Sequence, residues 1–124
     1  MLMNNWQVLF YPTEEDYEPV KEFILQQDYK TRIEILHVLE LLYKSNVRLG
    51  KPYVRKINKS GLRELRIKHG SDIYRIFFFA FTGRKFILLH AIKKKEDKTP
   101  ITEKQLAIER MLDYQSRFTA LEGS

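Results

Sequence analysis

Arginines are threaded through a stretch that otherwise reads as the middle of a sheet. GLRELRIKHGSDIYRIFFF, residues 61–79, places Arg63, Arg66, Lys68 and Arg75 among Leu, Ile and Phe. A guanidinium fixed on a strand is suited to a phosphate, because its charge and forked donors are held ready where negative charge develops. A further strand-like run, KFILLHAIKK, ends in Lys93, Lys94 and Lys95. Side chains alternate between the faces of a strand. Leu65 and Ile67 therefore share one face, with Glu64, Arg66 and Lys68 on the other. Likewise Ile76, Phe78 and Ala80 oppose Arg75, Phe77 and Phe79. If the strands pair in order, Arg66, Arg75 and Lys93 or Lys94 converge on a concave face, pointing away from the core, with aromatics nearby for stacking. The alternative is that each cation is a solvated or ion-paired strand residue.

The histidines are candidates of another kind. His37 falls on a helix and reads as structural. His69 lies beside a turn. His90 lies in an apolar strand, either as a buried, hydrogen-bonded histidine or as a proton-transfer group. No histidines are spaced with a third ligand as a metal site requires, so no metal is expected. No nucleophile elbow, P-loop or dinucleotide fingerprint is present.

The elements that must hold these residues follow from pattern. NWQVLFY reads as a first strand ending at Pro12, and residues 13–27 as a helix with acidic residues at its N-terminal end and Pro19 in its first turn. Asp28 is an expected N-cap for a second helix to residue 46, with Ile33, Leu36, Leu39 and Leu42 or Tyr43 at helical spacing. Gly50, Pro52 and Gly61 punctuate a linking segment. Strands are expected over 62–69, 73–82 and 85–94, joined by turns short enough for antiparallel hairpins. A last helix spans 102–118, with Thr102 and Gln105 fitting a capping box. The order β-α-α-β-β-β-α predicts a single α+β domain over 1–124, with helices on one face of a small twisted, mainly antiparallel sheet. Its first strand joins non-locally.

Charge is segregated along the chain. Residues 1–50 carry a net −3, residues 51–100 a net +10 and residues 101–124 a net −1, giving +6 overall. A concentrated positive segment points to a polyanionic partner, nucleic acid above all. There is no cysteine, which excludes disulfides and suits a reducing cytoplasm. No apolar run approaches a membrane span, and the first residues do not read as a signal peptide.

Glu-Leu-Arg at 64–66, Tyr-Arg-Ile at 74–76, Leu-His at 89–90, Lys-Lys at 93–94 and Lys-Thr-Pro at 98–100, followed by TEKQLA, resemble the phage-derived HigB-like branch of the RelE/ParE toxin superfamily. The resemblance implies a cytoplasmic type II toxin that cleaves messenger RNA in the ribosomal A site without metal or other cofactor. The RNA 2′-hydroxyl attacks the adjacent phosphate and leaves a 2′,3′-cyclic phosphate. It assigns the scissile-phosphate contact to Arg66, with Arg75 in the Tyr-Arg pair and Lys93 and Lys94 as further cations. Arg63, Lys68, His69, Lys95 and Lys98 become RNA contacts. Some members use a C-terminal tyrosine as base. Residues 99–101 hold none and Tyr114 does not match, so Lys68, His69 and His90 remain candidates for proton transfer. The implied partners are a HigA-like helix-turn-helix antitoxin, the ribosome and mRNA, with operator DNA reached only through the antitoxin and no membrane. A ParE-like gyrase poison on the same fold and a non-enzymatic RNA-binding phage accessory protein are the competing expectations.

Overall fold

The computed structural model describes residues 5–94 and 98–122. Five strands form one open sheet in the order β1-β5-β4-β3-β2. The strands are β1 (Gln7–Phe10), β2 (Val54–Lys56), β3 (Arg63–His69), β4 (Asp72–Phe81) and β5 (Lys85–Lys94), and the helices are α1 (Pro19–Leu25), α2 (Tyr29–Ser45) and α3 (Ile101–Glu122). The fold is α+β, as the element order predicts. β1 joins non-locally, running parallel to β5 at one edge, while the remaining pairs are antiparallel. Sequence reading overlooks β2, a three-residue strand inside the linking segment.

The first helix is shorter than expected. Proline disfavours helical backbone in the residue before it and has no N–H to donate. Glu18 is accordingly extended and α1 starts at Pro19. The acidic stretch before it forms a turn, with Asp16 N–H bonded to Thr13 O at 2.9 Å. Asp28 does cap α2, its Oδ1 accepting from Thr31 N–H at 2.8 Å. The expected capping role of Thr102 is not found. Lys104 N–H reaches Pro100 O at 3.2 Å, so α3 is already under way at Ile101.

The larger correction concerns the layers. The helices do not share one face of the sheet. Val20 and Ile24 of α1 and Ile35, Val38, Leu39 and Leu42 of α2 pack with Leu65, Ile67, Tyr74, Ile76 and Phe78 on one face. Ala107, Met111 and Tyr114 of α3 pack with Phe77, Phe79, Phe81, Ile87 and Leu89 on the other. A strand covered on both sides reads as a continuous apolar run, and this is the physical reason for Phe77-Phe78-Phe79. Phe78 belongs to the helix-pair face and its two neighbours to the α3 face.

The β4–β5 register carries one irregularity. Phe77 pairs with His90 but Phe78 pairs with Leu88, so Leu89 is an extra residue on β5. Such a bulge resets the alternation. Strict alternation would place His90 with Phe86 and Leu88 on the helix-pair face. Instead it faces α3, stacked against Phe77 with ring centroids 6.0 Å apart.

Candidate nucleic-acid interface

The strand register lays the charged residues of the α3 face out in rows. Arg55, Glu64, Phe77 and His90 are successive cross-strand partners on β2, β3, β4 and β5. Arg66, Arg75 and Ile92 form the next row, and Lys68, Ile73 and Lys94 the one after. Residues of α3 pack over the Phe77–Phe81 end of this face. Arg66 stays half-buried, Lys68 exposed and Lys94 half-buried.

Arg66 and Arg75 are thus direct cross-strand neighbours, as alternation predicts, but Arg75 does not point to solvent. Its side chain is fully buried and ion-paired to Glu64 Oε1, and Glu64 is equally buried. The other carboxylate oxygen, Oε2, accepts from Arg55 Nη2 at 2.6 Å and from Nε at 3.2 Å. One buried carboxylate therefore ties together guanidinium groups from two strands. Burying an isolated cation is prohibitive. Glu64 makes Arg75 tolerable and leaves a net positive charge on the trio. Arg66 is set against this scaffold from its own backbone, its N–H bonding Tyr53 O at 2.7 Å.

Lys93 does not join the arginines. It lies on the helix-pair face, 5.8 Å from the Tyr74 ring centroid and 3.5 Å from Asp72 Oδ2. Tyr74 and then Asp72 hold its ammonium above the ordinary lysine value. Of the two lysines, the one on the arginine face is Lys94. Arg63 and His69 share the alternation of Leu65 and Ile67 and so also belong to the helix-pair face. Lys98 is exposed before α3, and Lys95 lies outside the described residues.

His90 is on the arginine face, but α3 engages both of its ring nitrogens. Nε2 lies 2.7 Å from Glu103 Oε2 and Nδ1 lies 3.2 Å from Arg110 Nη1, which also donates to Leu89 O at 2.9 Å. An arginine is only a donor. Nδ1 must then accept, and the ring is the neutral Nε2–H tautomer donating to Glu103. Burial lowers the His90 pKa, against the opposing pull of Glu103. This geometry makes His90 a latch between β5 and α3. A second polar latch holds α3 to the end of β1: Tyr11 donates to Asp113 at 2.5 Å, and Arg117 bonds both Asp113 and the Pro12 carbonyl.

The cations that sequence reading missed lie in the linking segment. Two adjoining grooves, about 500 and 470 Å³, share Lys56 and Arg63 and are lined also by Lys51, Arg55 and Lys59, with no carboxylate. Arg55 belongs both to this groove and to the Glu64 trio, so basic surface continues from the β2 edge to the arginine rows. The signal was present in KPYVRKINKSGLR, whose basic residues recur every one to four positions. Among the described residues, no three His, Asp or Glu side chains gather as metal ligands.

Comparison with protein families matches residues 22–112 to the family described as phage derived protein Gp49-like (DUF891). This chain belongs to that family. Gp49-like proteins fall within the RelE/HigB-type toxin group, so membership is consistent with a toxin of a toxin–antitoxin system and suggests an antitoxin partner. No curated protein matches the chain. Among the described residues, no helix of this Gp49-like protein is long and apolar enough to cross a membrane.

Proposed function

We propose that this Gp49-like protein is the toxin of a type II toxin–antitoxin pair and acts as a ribosome-dependent endoribonuclease on translated mRNA, its cognate antitoxin being of the HigA type. The observation that carries this reading is the cross-strand pair of Arg66 and Arg75, with Arg75 pinned by Glu64, whose other carboxylate oxygen Arg55 holds. In cleavage by an internal 2′-hydroxyl, the 2′-oxygen bonds to phosphorus, the bond to the 5′-oxygen breaks, and charge accumulates on the equatorial oxygens between these events. A preorganised guanidinium at that point lowers the barrier without having to reorganise. Arg66, half-exposed and backed by a rigid cationic scaffold, is the group we assign to the phosphate. Lys68, Lys94 and Lys98, with the β2-edge groove, supply backbone contacts. The 2′-proton goes to, and the proton that the departing 5′-oxygen needs to leave as a hydroxyl comes from, groups or solvent outside this arginine set, since His90 is committed to Glu103 and Arg110.

The test is to induce the protein in growing cells and map RNA 5′ ends. Cuts inside translated codons are expected, and Arg66→Ala should reduce them by roughly 10²–10³-fold with an unchanged circular dichroism spectrum. Arg66→Lys should restore only part of the loss, because the forked donor is not replaced. Intact mRNA together with DNA damage would instead identify a gyrase poison and overturn the reading.

A further inference from the structure

Helix α2 has an apolar stripe more than its own core uses. Ile35, Val38, Leu39 and Leu42 are buried against the sheet. On the outer side, Tyr29, Ile33, Leu36, Glu40 and Tyr43 follow one another in alternating steps of four and three residues. Tyr29 is 69% exposed, Ile33 46%, Leu36 52% and Tyr43 42%. Alternating steps of this kind place all five residues on a single seam, the spacing with which one helix receives another. The seam does not face open solvent alone. A groove of about 760 Å³ runs between it and the edge strand β1, and a second of about 390 Å³ continues past Phe10 and Leu36 toward Leu25 of α1.

Charge beside the seam selects the occupant. Lys30 and Lys44 follow Tyr29 and Tyr43 along one flank, and Arg32 precedes Ile33 on the other. The acidic seam residue, Glu40, is paired with Lys44 at 2.7 Å, so these two charges offset each other and Lys30 and Arg32 set the sign of the flanks. A second copy of this chain packed seam to seam would set basic flanks against basic flanks in either orientation, the arrangement that coiled-coil partners avoid. An acidic-flanked helix meets the same residues with opposite charge.

We propose that the outer seam of α2, with its groove against β1, docks an amphipathic helix of a partner protein whose apolar stripe is bordered by acidic residues. The surface belongs to the helix pair, on the other side of the sheet from Arg66, so the proposal does not rest on the RNA reading. Such a partner leaves the arginine rows uncovered.

Three synthetic peptides, each three heptads long, test it by fluorescence anisotropy with the full chain. One has a leucine seam and glutamate flanks, one the same seam and lysine flanks, and one glutamate flanks with glutamine in place of leucine. The first is expected to bind at least about tenfold more tightly than the other two, and Leu36→Glu to abolish that advantage. Leu36 is exposed, so the variant should keep the parent's circular dichroism spectrum and thermal midpoint. The double variant Lys30→Glu, Lys44→Glu should reverse the preference toward lysine flanks. Equal binding of the leucine and glutamine peptides would show charge attraction alone and overturn the proposal. So would binding indifferent to Leu36→Glu, or a dimer of this chain in sedimentation that Leu36→Glu dissolves.

Discussion

The two faces of the sheet are built on different terms. Toward α1 and α2 the contacts are almost entirely aliphatic and aromatic. Toward α3 the sheet is apolar at one end and charged at the other, with a buried Glu64–Arg75 pair and two polar latches holding the helix. Dry packing derives its strength from area and shape. Buried charge contributes little net stability, since desolvation offsets the attraction, yet it is severe to disrupt halfway. The helix-pair face therefore secures the fold, and the α3 face holds cations in position at some cost in stability.

The sharpest way to break this contrast is to leave Arg75 without its carboxylate. Glu64→Leu should cost about 3–5 kcal/mol in urea unfolding. Adding Arg75→Leu should recover most of that, because the buried charge then disappears with its partner. On the helix-pair face, Leu42→Ala should cost about 2–5 kcal/mol, and removing a neighbour should deepen the loss. If Glu64→Leu is mild, or the double variant is no better, the pair is not what organises the α3 face.

The latch at His90 should give a smaller effect with a pH signature. His90→Leu leaves Glu103 and Arg110 short of a partner, at about 1–3 kcal/mol. Burial lowers the histidine's pKa in the folded chain. The unfolded chain then binds the extra proton first, so this contribution is fully present above the ordinary histidine value of about 6.5 and is lost as pH falls toward and through the lowered one. The urea midpoint of the parent should drop across that window, and the slope should be shallower in His90→Asn, whose amide offers both an acceptor and a donor.

Much of the fold was legible because periodicity reports which side of an element is buried. The helix pair, the three long strands, the Asp28 cap and the non-local first strand follow from spacing and turn residues. The layers differ from the sequence expectation because Arg66 and Arg75 read as a wet face. Alternation shows that they share a side but does not show that Glu64, on that same side, allows Arg75 to be buried there. His90 was placed by a bulge, and a one-residue register shift leaves no mark in composition. Lys93 and Lys94 stay alternatives in the sequence for the same reason, since one residue decides the face.

The smallest expected effect is also the cleanest separation of the two faces. Lys93 and Lys94 are adjacent lysines at the end of one strand, alike in sequence context. Lys93 stands over Tyr74 and beside Asp72 on the helix-pair face, while Lys94 shares a row with Lys68 next to the arginines. Lys93→Ala should leave RNA cleavage, and the salt dependence of RNA binding, at parental values. Lys94→Ala should flatten the slope of log K against log salt by somewhat less than one unit, as expected when one phosphate contact is removed. Neither should move the urea midpoint appreciably, because neither lysine is buried and the surface pair of Lys93 with Asp72 contributes little. Equal effects of the two variants on RNA would mean that phosphate contacts extend to both sides of the sheet edge and that the rows of the α3 face do not by themselves define the interface.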